Sequence, residues 1–176
     1  MSVIFLAGVH GVGKGFLGEP VANALGISHF TASQLIREEK GQATWGTDKK
    51  TSDLDDNQLA LVRAVAQRRL TQPNILLDGH FVLRNAQGIL TPLATSVFKQ
   101  LHLTGVILLT EAESVIAARL AQRDKGNPDV QAISELAEAE LNHARSVCAE
   151  LKLPLVTIDS PTLANLTDAA RTLLKS

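Results

Sequence analysis

The segment "VIFLAGVHGVGKGF", residues 3–16, constrains the fold more than any other stretch of the chain. Val3 to Ala7 is a continuous apolar run without alternation, the pattern of a strand buried on both faces of a parallel sheet. It ends in a turn carrying Gly8, Gly11 and Gly13. From Lys14 to Leu25 the chain reads as a helix, with Gly26 at the stop position. A glycine-rich turn between a buried strand and a helix points backbone N–H groups inward and presents a helix N-terminus, and both favour phosphate. Gly8, Gly13 and Lys14 have the spacing of a phosphate-binding loop, whose lysine reaches the β- and γ-phosphates of a nucleotide. His10, Val12, Gly15 and Phe16 fill out the nucleotide-binding stretch. Gly15 stands where such loops usually carry the hydroxyl that helps hold Mg2+, and Phe16 supplies no replacement. Magnesium would then be held by phosphates, water and Asp78.

Four more short apolar runs follow, at Ile27–Phe30, Ile75–Asp78, Gly105–Leu109 and Leu155–Asp159. Thr110 to Glu113 reads as a capping box, and Ser160-Pro161 as a cap residue before a proline at the first helical position. "TASQLIREEKG" reads as a short helix, "GQATWGTDKKTSD" as a loop, and Leu54–Leu70 as a longer helix with Leu59, Val62, Ala66 and Leu70 near one face. Val130–Leu151 places Ile133, Ala137, Leu141, Ala144, Cys148 and Leu151 at helical spacing. Short buried strands separated by helices predict an α/β three-layer fold. Right-handed crossovers leave the C-terminal strand ends on one edge, where ligands bind. The expectation is one domain over residues 1–176, with a helical insertion at about 33–70 and a short lid at about 123–130.

The formal net charge of -1 gives no sign of a nucleic-acid partner. Cys148 is the one cysteine, so no intrachain disulfide and no cysteine metal cluster can form, and a reducing compartment is expected. The N-terminus lacks the basic region of a signal peptide, and no run reaches the length of a membrane span; the expected location is the cytoplasm. The histidines at 10, 29, 80, 102 and 143 have no metal-ligand spacing, which argues against zinc. The sequence leaves the oligomeric state open.

The string "GVHGVGKG" resembles the loop of adenylate kinases and related nucleoside monophosphate kinases, which commonly reads Gly-x-Pro-Gly-x-Gly-Lys-Gly-Thr. Gly15 is normal in that family; His10 replaces its proline and Phe16 its threonine. The resemblance spans nearly the whole chain and is nearest to the short, archaeal-type members. It implies a P-loop fold with a five-stranded parallel sheet in the order 2-3-1-4-5. "TASQLIRE" is similar to the segment that touches the acceptor nucleotide, which implies acceptor roles for Thr31 or Ser33 and for Arg37. "ILLDGHFVLR" is similar to the family's strand end, aligning Asp78 and Gly79 and leaving Arg84 further along than the family arginine. The stretch from Thr91 to Asp124 resembles a passage ending in arginines that close over the transferring phosphate, here Arg119 and Arg123.

Phosphoryl transfer depends on positioning and charge neutralisation, so Lys14, Arg37, Arg84, Arg119 and Arg123 are the candidate cations. Arg119 and Arg123 share a helix face; Arg68 and Arg69 are expected to face solvent. Asp78 is the candidate for holding water or Mg2+. His80 lies beside it and, with Asp78, becomes a candidate base if the acceptor is a hydroxyl. Trp45 either stacks on a base or packs a loop. The leading expectation is Mg-ATP plus a nucleoside monophosphate giving two diphosphates. The alternatives are a kinase for another small metabolite and an ATP-binding regulatory module with weak hydrolysis.

Overall fold

A computed structural model describes residues 1–41, 52–85 and 87–175. The strands are β1 (Ser2–Ala7), β2 (Ser28–Thr31), β3 (Asn74–Asp78), β4 (Val82–Arg84), β5 (Leu90–Pro92), β6 (Gly105–Thr110) and β7 (Leu155–Asp159). The helices are α1 (Lys14–Leu25), α2 (Ala32–Lys40), α3 (Ser52–Arg69), α4 (Thr95–Gln100), α5 (Glu113–Asp124), α6 (Val130–Leu151) and α7 (Leu163–Leu174). Five strands form one sheet in the order β2-β3-β1-β6-β7. All four of its pairings are parallel. This is the P-loop α/β fold and the strand order that the resemblance implied.

Alternation along β1 divides the core. Val3, Phe5 and Ala7 pack on the face covered by α2, α3, α4 and α6. Ile4 and Leu6 pack on the other face, with residues of α1, α5 and α7. A parallel sheet needs both faces covered because its strands carry no polar side. The register aligns Leu6 with Asp78, Thr31 with Asp78, and Ala7 with Leu108, so the strand ends that carry the candidate residues share one edge.

Four local expectations are corrected. Leu59 on α3 and Leu70 just past its end are exposed, and Leu61, Ala64 and Val65 face the core instead. The apolar residues of "LALVRAVA" surround much of the helix, so spacing allowed two phases and packing against the sheet selected one. The N-cap of α5 is Ala112, without a side-chain cap. Thr110 stays in β6 and donates to Asp159 Oδ1 at 3.1 Å. The capping box at the last helix is Thr162 with Asn165, two residues past Ser160, whose positive φ of 47° makes the bend between β7 and α7. Arg69 is only half exposed, with its Nε buried, whereas Arg68 faces solvent as expected, over the Phe30 ring at 5.0 Å and paired with Glu38 at 2.6 Å.

The antiparallel β4–β5 pair was not legible in the sequence. Its turn is built by Asn85, whose side-chain oxygen accepts from Gln87 N and Ile89 N. Trp45 lies outside the described residues.

Candidate functional site

The phosphate loop, Gly8 to Gly13, joins β1 to α1, and Gly13 caps the helix. Gly8 is at φ 138°, and a Cβ there would lie 2.6 Å from Leu109 O on β6. Only glycine lets the loop leave the strand so close to its neighbour. Lys14 is buried at 6% exposure. Its Nζ donates to Gly8 O and to Val9 O (3.2 Å) and lies 3.9 Å from Asp78 Oδ1, an ion-pair distance beyond a hydrogen bond.

Arg119, on α5, reaches the loop. Its Nη1 donates to Gly11 O and Val12 O, both at 3.2 Å, and its Nη2 to Glu111 Oε2 at 3.3 Å. Glu111 follows β6 and also accepts from Ser160 Oγ. Phe16, in the first turn of α1, is 83% exposed. The His10 ring in the loop meets the His80 ring with centroids 4.4 Å apart.

Burial sets the charge states. It lowers the pKa of Lys14 while Asp78 and Glu140 pull it back. It raises Asp78 to about 6 against the pull of Lys14. It drives His80 down to about 2, helped by Lys14 and His10, so this imidazole is neutral.

The structure therefore brings together Gly8, His10, Gly11, Val12, Gly13, Lys14, Asp78, Gly79, His80 and Arg119. Thr31 ends β2 beside Asp78 and caps α2 through Gln34 N. Ser33 and Arg37 are exposed on α2, and Gly15 and Phe16 on the first turn of α1. Two candidates are turned elsewhere. Arg84 donates to Ala132 O at 2.8 Å and lies 3.8 Å from Glu135, both on α6. Arg123 is exposed and makes two bonds to its neighbour Asp124, at 2.6 and 2.7 Å.

Glu140 is the residue that sequence reasoning missed. It is 1% exposed and accepts backbone N–H groups from Gly8, Phe81 and Val82. Burial raises its pKa, opposed first by the Phe81 and Val82 amides. The available signal was a carboxylate in phase with Ile133, Ala137 and Ala144 on the apolar face of α6.

Among the described residues no three His, Cys, Asp or Glu side chains cluster as a metal cage. The donor set fits Mg2+, which keeps several waters and takes one or two carboxylates plus phosphates. Asp78 is the residue that would hold it, and the metal would neutralise charge on a phosphate bound there.

Fold and site together define a P-loop α/β protein. Residues 7–137 match the family model described as AAA domain, and the chain belongs to that family. Solved structures share the fold. A gluconokinase from Sinorhizobium meliloti is 18% identical, with a TM-score of 0.56, over 99% of this chain and 91% of its own. A shikimate kinase from Acinetobacter baumannii in complex with shikimate is 18% identical, with a TM-score of 0.62, over 99% and 92%. A shikimate kinase from Bacteroides thetaiotaomicron is 12% identical, with a TM-score of 0.57, over 99% of each chain. No curated protein matches the sequence significantly. These comparisons do not extend to the adenylate kinase assignment. No helix of the described residues is long and apolar enough to cross a membrane.

Proposed function

We propose that this protein is a small-molecule kinase that transfers the terminal phosphoryl group of Mg-ATP to a hydroxyl of an acceptor held over the ends of β2 and β3. The observation that carries the reading is the buried Lys14 between the phosphate loop and Asp78, 3.9 Å away. A lysine costs free energy to bury. Among the described residues it is compensated by the Gly8 and Val9 carbonyls and by the Asp78 and Glu140 carboxylates, and a nucleotide phosphate would compensate it better. Arg119, already over Gly11 and Val12, is placed to add a second cation at the donor phosphates. In-line transfer then needs an acceptor oxygen on the far side of the terminal phosphate, a position that Asp78, Gly79 and His80, at the end of β3, would line. Asp78 is the group there that can orient or deprotonate a hydroxyl.

A hydroxyl acceptor is favoured over a nucleoside monophosphate by the arginines. A second phosphate tail calls for convergent guanidinium groups, yet Arg84 is held by Ala132 and Glu135, and Arg123 by Asp124. The gluconokinase and shikimate kinase folds are consistent with a metabolite acceptor. A nucleoside monophosphate remains the second reading because Arg37 is exposed on α2, a turn and a half beyond Thr31, where it can meet an anionic tail.

The test is ADP release from Mg-ATP with two sets of acceptors, hydroxylated small acids and sugars on one side and nucleoside monophosphates on the other, with the phosphorylated product identified. Turnover with the first set supports the proposal. Turnover confined to the second establishes the other reading. ATP binding with no transfer to either set refutes both and leaves an ATP-binding regulatory module.

A further inference from the structure

Glu140 is far from every candidate residue in sequence, yet it touches both halves of the site. From α6 its Oε1 accepts from Gly8 N (3.3 Å) and Phe81 N (3.0 Å), and its Oε2 from Phe81 N (3.0 Å) and Val82 N (2.7 Å). Oε1 also lies 3.8 Å from His80 Nδ1. Gly8 is the first residue after β1, where the phosphate loop begins. Phe81 and Val82 directly follow Asp78, Gly79 and His80. Gly8 and Phe81 lie past the ends of β1 and β3, and Val82 opens β4, so the β1–β3 ladder does not supply their acceptors. An ionised carboxylate accepts only, with up to four lone-pair sites, and here all of its hydrogen bonds come from backbone donors. One buried side chain therefore spans the gap between the donor loop and the acceptor strap.

We infer that Glu140 is a positioning residue, a carboxylate clasp that sets the distance and orientation of the phosphate loop relative to the Asp78–Val82 strap. The inference rests on the kinase reading for its consequence. In-line transfer requires donor and acceptor to be held to a fraction of an ångström, and a displacement of about 1 Å can cost roughly a hundredfold in rate. Lys14 rides on one side of the clasp and Asp78 on the other. A structural carboxylate that only satisfied buried amides would support stability and leave the relation between the two segments to the sheet. The clasp predicts in addition that a ligand arriving at the loop is felt at Phe81 and Val82.

Glu140→Gln is the discriminating variant. It is nearly isosteric, but one oxygen becomes an NH2 group, which cannot accept and faces a backbone donor. Two readouts are taken at a temperature well below unfolding. The first compares kcat with the Kd for Mg-ATP and the acceptor KM. A clasp predicts a fall in kcat of roughly ten- to a hundredfold, with both binding constants within about threefold. An unchanged kcat overturns the inference. So does a rise in Kd or KM by the same factor as the loss in kcat/KM, because that pattern is general loosening.

The second readout does not need transfer. In the wild-type protein, amide hydrogen exchange at Phe81 and Val82, followed by NMR, should slow along with Gly8 when Mg-ADP is added. In Glu140→Gln only the loop should respond. Absence of the response at Phe81 and Val82 in the wild type overturns the inference, even if the variant does not fold; so does its persistence in a folded variant. If the protein binds Mg-ADP but phosphorylates no acceptor, the kinase reading fails by itself and the exchange experiment still decides the role of Glu140. A protein that binds neither Mg-ATP nor Mg-ADP removes both.

Discussion

Asp78→Asn replaces a carboxylate whose side chain is 12% exposed and lies 3.9 Å from Lys14 Nζ. Burial raises this carboxyl from 3.8 to about 6, and that value stands after the opposing pull of Lys14. The native state therefore holds the proton more tightly than the unfolded chain. The wild-type protein gains stability as pH falls from about 6 towards 3.8, and it loses that contribution as pH rises back through about 6. Above that range it carries an ionised buried carboxylate at a cost. The shift corresponds to about 3 kcal/mol at pH 8, and to about half of that at pH 5. Asparagine mimics the neutral acid at every pH. Asp78→Asn should accordingly raise the melting temperature of the ligand-free, Mg2+-free protein by roughly 6–12 °C at pH 8. The gain should be about half as large at pH 5 and close to nothing below pH 4. The variant should also lose nearly all phosphotransfer, since the role proposed for Asp78 needs a carboxylate that an amide cannot replace. Calorimetric scans at the three pH values, with turnover measured in parallel, test this. A gain that is equal at pH 5 and pH 8, or a loss of stability at pH 8, refutes the electrostatic reasoning. Full turnover in the variant refutes the assigned role.

Lys14→Ala should nearly abolish turnover and weaken Mg-ATP binding by calorimetric titration while the fold persists in circular dichroism; unchanged affinity and rate exclude the lysine from the site. Arg119→Ala should lower kcat/KM for ATP by roughly ten- to a hundredfold, through loss of a charge-assisted contact worth about 1.5–3 kcal/mol. Arg123→Ala should change it much less, because that arginine is bound to Asp124 on the surface. Gly79→Ala would place a Cβ 2.6 Å from Phe5 Cζ and should destabilise by about 1–3 kcal/mol in urea unfolding. Gly15→Ala, with nothing within 4 Å of its Cβ, should be neutral or stabilising. Phe16→Thr opens no cavity, because the ring is 83% exposed, so stability should hold and any change in rate reports on the added hydroxyl.

What was legible in the sequence was local. The buried strand, the glycine turn and the helix from Lys14 follow from contiguous residues whose preferences agree. The edge that gathers Gly8, Thr31 and Asp78 follows from parallel strands joined by right-handed crossovers. The helix phase of α3 was not legible, because its apolar residues offered two faces and only packing against α2 and the sheet chose between them. The start of α7 depended on two side-chain bonds, Thr162 with Asn165, in competition with an equally good cap signal at Ser160. Arg84 carries the right chemistry for a phosphate, but its direction is set by α6, which the chain reaches about fifty residues later. Glu140 marks the limit most clearly. Periodicity places it on the buried face of α6, and nothing near it in sequence says why a carboxylate is tolerated there. Its partners are 132 and 59 residues away. A buried charge is specified by the donors that meet it, and those donors converge only when the strands and helices have packed.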